Sequence, residues 1–117
     1  MEGERGFFRF RREEHLKGRN VIRDVFSRGK RFGCRGAKLF ILKNSLPRNR
    51  VCFTFSRGFG NAVERNRARR LSREAYRHLR PRLLRGYDLI LLMYPEPSMP
   101  IGAEQLTFLF SKAGLLQ

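Results

Sequence analysis

The chain has 117 residues and a formal net charge of +16, because 26 Lys and Arg face only 10 Asp and Glu. Its length and its 41% hydrophobic content suit one folded domain and exclude a disordered chain. All but one of the basic residues precede residue 87, so the positive charge belongs to one part of the domain. A basic domain of this size predicts a nucleic-acid partner.

The two cysteines do not predict a zinc site. Cys34 and Cys52 are far apart in sequence, and the two histidines are too scattered to complete a ligand set. Free thiols in a reducing cytoplasm are the expectation. The N-terminus lacks an apolar segment of signal-peptide length, and the longest apolar run, Leu89 to Met93, is too short to cross a membrane. The sequence therefore predicts a cytoplasmic protein with no membrane partner.

Residues 1–14 are predicted to be an N-terminal extension, and residues 15–117 the folded domain. The extension interleaves three Phe with four Arg. Such interleaving favours RNA binding, since aromatic rings stack on bases. The alternative is a terminal arm whose Phe side chains pack onto the core.

The first element of the predicted domain is a helix. Apolar residues recur at this spacing over residues 15–27 and predict a helix from about Gly18 to Arg28, ended by Gly29. The segment Lys30–Gly36 follows and is interpreted as a basic turn.

Two alternating segments predict strands. In Arg50–Ser56 every second residue is apolar, and in Lys38–Lys43 the residues Leu39 and Ile41 share one face while Phe40 lies on the other. A proline-containing loop between them predicts a hairpin.

The stretch from Asn61 to Arg80 predicts a helix with one basic face. Asn61 is a favourable N-cap, Glu64 stands at N3 as in a capping box, and Pro81 ends the helix. At 100° per residue, seven side chains fall within about 140° of one another: Arg65, Asn66, Arg69, Arg70, Arg73, Arg77 and Arg80. The apolar residues Ala68, Leu71, Ala75 and Leu79 lie on the other side. A merely solvated face would mix charges at i,i+4, whereas this face stacks like charges, which predicts contact with a polyanion.

The rest of the chain predicts a strand and a helix. The apolar run Tyr87–Tyr94 is typical of a central buried strand, and residues 101–116 have helical spacing. The order is α-β-β-α-β-α. A strand, the basic helix and a buried strand form a crossover unit, which is right-handed by default.

Catalytic groups are sparse. Past residue 24 the acids are Glu64, Glu74, Asp88, Glu96 and Glu104, and no two have metal-ligand spacing within one element. His78, near the end of the basic helix, is interpreted as a helix C-terminal histidine. We therefore expect no catalytic residue and no metal site in this chain, which argues against a protein nuclease.

The segment Ser56–Arg77, SRGFGNAVERNRARRLSREAYR, closely resembles the signature of the protein subunit of bacterial ribonuclease P. Its most characteristic part is the triplet Arg65-Asn66-Arg67, followed by Arg69-Arg70 and Arg73-Glu74. The resemblance covers about residues 15–116.

The resemblance implies an α+β fold, a single-domain α-β sandwich in the order α-β-β-(β)-α-β-α. It implies a four-stranded sheet and a left-handed crossover through the basic helix, similar to the second domain of a small-subunit ribosomal protein. This hand differs from the default. The sheet also needs one strand more than the alternation shows, either in Lys30–Gly36 or by division of a longer run.

The resemblance also implies a function. The chain would be the RNA-binding subunit of ribonuclease P, the endoribonuclease that removes the 5′ leader from precursor tRNA. Its partners would be the catalytic RNA, which carries the chemistry, and precursor tRNA. The holoenzyme would require Mg²⁺, bound mainly by RNA, and no organic cofactor. The alternative is a ribosomal or general RNA-binding protein with no role in tRNA processing.

Two sets of site residues follow from the resemblance. The RNA-binding set is Arg65, Asn66, Arg67, Arg69, Arg70, Arg73 and Arg77. The leader-binding cleft is Ile22, Phe26, Phe40 and Arg57. Two positions depart from the family pattern: relatives often carry an aromatic residue in place of Ile22 and a basic residue in place of Gly58.

Overall fold

The structure, a computed structural model, describes residues 14–95 and 102–117, so the predictions for residues 1–13 lie outside the described residues. The helices are α1 (Arg19–Arg28), α2 (Ala62–Leu79) and α3 (Ala103–Lys112), and a short 3-10 turn, Arg80–Arg82, follows α2. The strands are β1 (Lys30–Cys34), β2 (Ala37–Lys43), β3 (Arg50–Phe55) and β4 (Tyr87–Met93). They form one sheet in the order β1-β2-β4-β3. Only the β3–β4 pair is parallel.

The extra strand that the resemblance required is β1, so the interpretation of Lys30–Gly36 as a turn was wrong. Three of the five residues of β1 are exposed, and its basic composition hides the alternation of Phe32 and Cys34 towards the core. Edge strands commonly carry such charges. The C-terminal helix is shorter than its predicted extent over residues 101–116.

The capping box predicted for the basic helix is confirmed. The side chain of Asn61 accepts a hydrogen bond from the Glu64 N–H at 2.9 Å, and the Glu64 carboxylate accepts one from the Asn61 N–H at 2.9 Å. These two bonds fix the first turn of α2 and thereby the direction in which its arginines project.

The sheet has a hydrophobic cluster on each face. The larger cluster lies under α2 and α3 and includes Leu89, Leu91 and Met93 of β4. The smaller lies under α1 and consists of Leu16, Val25, Phe40 and Ile90. Since successive residues of β4 point to opposite faces, this central strand supplies both clusters.

The buried face of α2 is rotated from its predicted position. Ser72 and Tyr76 are fully buried, whereas Leu71 is only half-buried. The Tyr76 ring packs against Phe53 and Phe110, with centroids 6.0 and 6.3 Å away. The Arg69 guanidinium on the basic side of the helix lies over the ring of Phe55, at the end of β3.

The crossover from β3 through α2 to β4 is left-handed. Met93 packs under α2, and its carbonyl accepts a hydrogen bond from the N–H of Ser56, just after β3, at 2.9 Å. In a strand of L-residues that runs upward, a residue whose side chain faces the viewer directs its N–H and C=O to the viewer's right. Seen from α2 with both strands running upward, β3 therefore lies to the right of β4. The chain leaves β3, passes through α2 in front of the sheet and enters β4 on the left, which is the path of a left-handed crossover. The default expectation of a right-handed crossover was wrong, and the hand implied by the resemblance is the one observed.

A partly buried polar network joins the β2–β3 loop to the start of β4. The Arg50 guanidinium donates to both oxygens of Asp88 at 2.8 and 2.7 Å, and the Asn44 side chain donates to Asp88 at 2.9 Å. Asn49 accepts from the Tyr87 N–H at 2.8 Å. These bonds hold β3 in register beside β4.

Candidate nucleic-acid interface

Five side chains of α2 line a shallow groove of about 380 Å³. They are Asn66, Arg69, Arg70, Arg73 and Arg77, and we call this set the arginine face. All five belong to the predicted RNA-binding set. Four guanidinium groups on one groove create a strongly positive surface that suits phosphate groups.

Arg69 is held in place by its neighbours. Its guanidinium lies over the ring of Phe55, 5.1 Å from the ring centroid, and donates to Asn66 Oδ1 at 3.1 Å. Phe55 in turn packs against Phe59, with centroids 4.7 Å apart. A planar cation stacked in this way loses less conformational freedom when it binds a phosphate.

Two members of the predicted set lie outside the groove. Arg65 donates to the carbonyls of Gly60 and Phe59 at 2.9 and 3.3 Å, so it stabilises the turn before α2. Arg67 is exposed on another side of the helix. Arg80, which helical geometry placed on the basic arc, forms an ion pair in which its Nη1 donates to both carboxylate oxygens of Glu14 at 2.7 Å.

The residues just before α1 extend the sheet beyond β3. His15 forms an isolated parallel bridge with Val51, and the Leu16 N–H donates to the Val51 carbonyl at 2.9 Å. Burial, together with the positive charges of Arg73 and Lys17, lowers the pKa of His15. Its ordinary value is 6.5, so the imidazole is mostly neutral at pH 7. His15 therefore lies within reach of the charge of Arg73 and adds little charge of its own at neutral pH.

The predicted cleft residues occupy the other face of the sheet. Ile22 and Phe26 project from α1, and the Phe26 ring contacts Phe40 of β2. Phe40 is 6% exposed, whereas Phe26 is 36% exposed. Arg57 is exposed in the turn after β3, beside Gly58, whose φ of 86° favours glycine. The structure thus brings Ile22, Phe26 and Phe40 together and places Arg57 at the end of the edge strand.

Strand register shows where the cleft is open. The row of Phe40, Ile90 and Cys52 lies under α1, with the first two residues buried. The next row on the same face is Lys38, Leu92 and Thr54, in which Lys38 is exposed and the other two are half-buried. We call this second set the open row. Sequence reasoning missed Leu92 and Thr54 as cleft residues, because only the pairing of strands places them beside Phe40.

Residues 14–95 and 102–117 contain no group of three or more His, Cys, Asp or Glu that could hold a metal ion. The same residues include no helix that is long and apolar enough to span a membrane. The fold and the interface define a small basic α+β protein with an arginine-lined helix on one sheet face and an aromatic cleft on the other.

The family model for ribonuclease P matches residues 10–113. A ribonuclease P protein component from Symbiobacterium thermophilum is 37% identical over 109 residues, covering 87% of this chain and 92% of that protein. One from Natranaerobius thermophilus is 47% identical over 77 residues, covering 66% and 67%. The chain belongs to the ribonuclease P protein family, and this membership implies a role in tRNA 5′ processing.

Solved structures share the fold. The ribonuclease P protein of Thermotoga maritima superposes with a TM-score of 0.73 at 23% identity, covering 85% of this chain and 96% of that one. The ribonuclease P protein of Staphylococcus aureus gives a TM-score of 0.78 at 19% identity, covering 89% and 98%. The four-stranded α+β architecture predicted from the resemblance is therefore confirmed.

Proposed function

We propose that this chain is the RNA-binding protein subunit of ribonuclease P. It binds the catalytic RNA through the arginine face and holds the 5′ leader of precursor tRNA in the cleft beside α1. The RNA partner carries out the hydrolysis. The Mg²⁺ that the holoenzyme requires is assigned mainly to the RNA.

One observation carries this proposal: the arginine face and the cleft flank the same edge strand. Arg69 lies over Phe55, at the end of β3, while Cys52 and Thr54 of β3 point to the cleft side of the sheet. A protein built in this way can contact two RNA segments at one edge. Its positive charge offsets the repulsion between their phosphates, and counterion release supplies much of the affinity.

The two surfaces suit different parts of the RNA. The arginine face is rich in guanidinium groups and has no aromatic side chain among its members, which favours phosphate and base-edge contacts. The cleft offers the partly exposed ring of Phe26, and the exposed cation of Arg57 follows β3 at the edge of the same sheet, which favours an unpaired strand. A leader is the unpaired part of precursor tRNA.

The test is cleavage of precursor tRNA at low Mg²⁺ by the catalytic RNA with and without this protein. We expect correct 5′ cleavage to be stimulated only when both are present, and the protein freed of RNA to leave the substrate intact. Correct processing that survives removal of all RNA would disprove the assignment of chemistry to the RNA. An absence of stimulation by the full chain would instead favour a general RNA-binding protein.

A further inference from the structure

The edge of the sheet opposite the arginine face is also strongly basic. Residues 25–63 contain nine Lys and Arg and no Asp or Glu. Five of these cations are exposed and lie on or next to β1, and we call them the β1-edge surface: Arg28, Lys30, Arg31, Arg35 and Lys38. The sheet order places β2 and β4 between this surface and β3.

The open row connects the two edges. Its register continues from Thr54 of β3 through Leu92 and Lys38 to Gly33 of β1, so one line of residues crosses all four strands on the α1 side. Three strand spacings make this line about 14 Å long. Arg57 lies in the turn that follows β3, and Arg31 lies two residues before Gly33 on β1. The line therefore has a cation near each end.

The side chain of Lys38, a member of this line, is positioned by contacts with two neighbours. Its ammonium lies 5.7 Å from the centroid of the Tyr94 ring. Its Cγ lies 3.8 Å from the point that a Cβ on Gly33 would occupy, so the side chain runs close to the backbone of β1. A cation next to a half-buried aromatic ring is the combination that single-stranded nucleic acids bind, the ring for a base and the charge for a phosphate.

Protection of an edge strand also explains some of these charges. Lys and Arg on an exposed edge prevent pairing with another chain. That role concerns β1 itself and gives no reason for Lys38, which lies on the interior strand β2 with its ammonium beside the Tyr94 ring. It also gives no reason for the lack of acids over residues 44–63, which follow β2 and lie outside β1.

We propose that the β1-edge surface binds the phosphates of the distal part of the leader, after the strand has crossed the open row. This inference rests on the proposed function. The leader enters beside Arg57, near the arginine face, passes Leu92 and Tyr94, and reaches Lys38 and Arg31. Crossing the three strand spacings, about 14 Å, takes several nucleotides of unpaired strand.

The experiment compares precursor tRNAs whose leaders lengthen one nucleotide at a time, bound to the holoenzyme. The two test variants are Arg31→Ala/Lys38→Ala and Arg57→Ala. The control is Lys43→Ala/Arg85→Ala. It removes two exposed cations from the other end of the sheet, one at the last residue of β2 and one two residues before β4. The Arg57 variant should weaken binding once the leader reaches the cleft. The Arg31/Lys38 variant should begin to weaken binding only at longer leaders, because the strand reaches β1 after it has crossed the sheet. For long leaders its salt slope should fall by about 1.4, as expected for two lost single-strand phosphate contacts.

Mature tRNA and the control variant should show no such loss. Equal losses by the Arg31/Lys38 variant for mature tRNA and for every leader length would overturn the proposal, as would an unchanged affinity for the longest leader. The proposal would also be overturned if the Arg31/Lys38 variant weakened binding at shorter leaders than the Arg57 variant does, because the strand would then run in the opposite direction. These results leave the proposed function standing if the wild-type protein still stimulates cleavage and distinguishes precursor from mature tRNA.

Discussion

Phe26 and Phe40 meet edge to face, with ring centroids 4.8 Å apart and ring planes inclined by 72°. The inner ring is part of the small cluster beneath α1, and the outer ring keeps 36% of its surface exposed. The sequence predicted that both residues line the leader-binding cleft, whereas this contact indicates a different role for each. Phe40 anchors α1 on the sheet, and Phe26 presents an aromatic surface that is fixed from below. Direct contact of Phe40 with a leader stays a prediction.

The change Phe26→Ala should weaken binding of precursor tRNA by the holoenzyme and leave mature tRNA binding unchanged. A lost base stack costs about 1–3 kcal/mol, while the partly exposed position limits the effect on folding. Affinities for the two tRNAs, measured in the same buffer, check this. The exposed but distant Phe108 provides a matched control, Phe108→Ala. Equal losses for both tRNAs would show that the ring has no role in leader binding.

The change Phe40→Ala should mainly destabilise the fold, by about 3–5 kcal/mol, because it leaves a cavity under α1. The measurement is the free energy of unfolding in urea, without RNA. Phe40→Leu, which keeps more of the volume, should cost clearly less. If Phe40→Ala leaves the unfolding free energy unchanged and reduces only precursor tRNA binding, Phe40 is a ligand-contacting residue and the packing interpretation is wrong.

Replacement of Arg69 and Arg70 by Ala should reduce the salt dependence of binding to the catalytic RNA. If the arginine face neutralises about four phosphates, the logarithm of affinity falls with the logarithm of salt at a slope of about −3 to −4. The double variant should flatten that slope by about two units. Arg82→Ala/Arg85→Ala, which removes two exposed cations outside the groove and outside the predicted RNA-binding set, is the control and should change the slope less. Equal slopes for both double variants would mean that the groove is only a solvated surface.

The change Asp88→Asn should destabilise the protein by about 2–3 kcal/mol, since it weakens two charge-assisted bonds to Arg50. Asp88 is buried, whereas Arg50 keeps partial contact with solvent, which limits the cost. Thermal unfolding measures the loss. A melting temperature equal to that of the wild type would show that the network contributes nothing to the register of β3.

Alkylation of Cys52 reports on the cleft floor. Burial raises the pKa of this thiol above its ordinary value of 9.0, although Arg69 acts in the opposite direction. The thiolate is the reactive form, so the alkylation rate of the folded protein should reach half of its maximum above pH 9.0, the midpoint expected for an unperturbed thiol. A Cys34→Ala background isolates the signal, because Cys34 is also a free thiol. A rate that levels off below pH 9.0 would contradict the burial of Cys52 in the cleft floor.

Local features of the sequence fixed several elements correctly. The N-cap and N3 residues Asn61 and Glu64 gave the start of α2, and strict alternation gave β3, because capping and strand pleating depend on neighbours only a few residues away. The strand β1 was missed, since an edge strand with three exposed positions has little apolar alternation. The rotation of α2 was also missed, because Tyr76 is buried by Phe53 and Phe110, which lie far from it in sequence.

The sequence by itself determined the charge of this protein, its basic helix and, through the resemblance around Arg65-Asn66-Arg67, its family. These properties reside in the order and type of residues within one short segment. Only the tertiary structure decided which cations share a surface. Arg65 bonds to the turn before α2 and Arg80 to Glu14, while Lys38 aligns with Leu92 and Thr54 across three strands. Hydrogen-bond partners and strand register depend on contacts between distant residues, so no periodicity within a single element could reveal them.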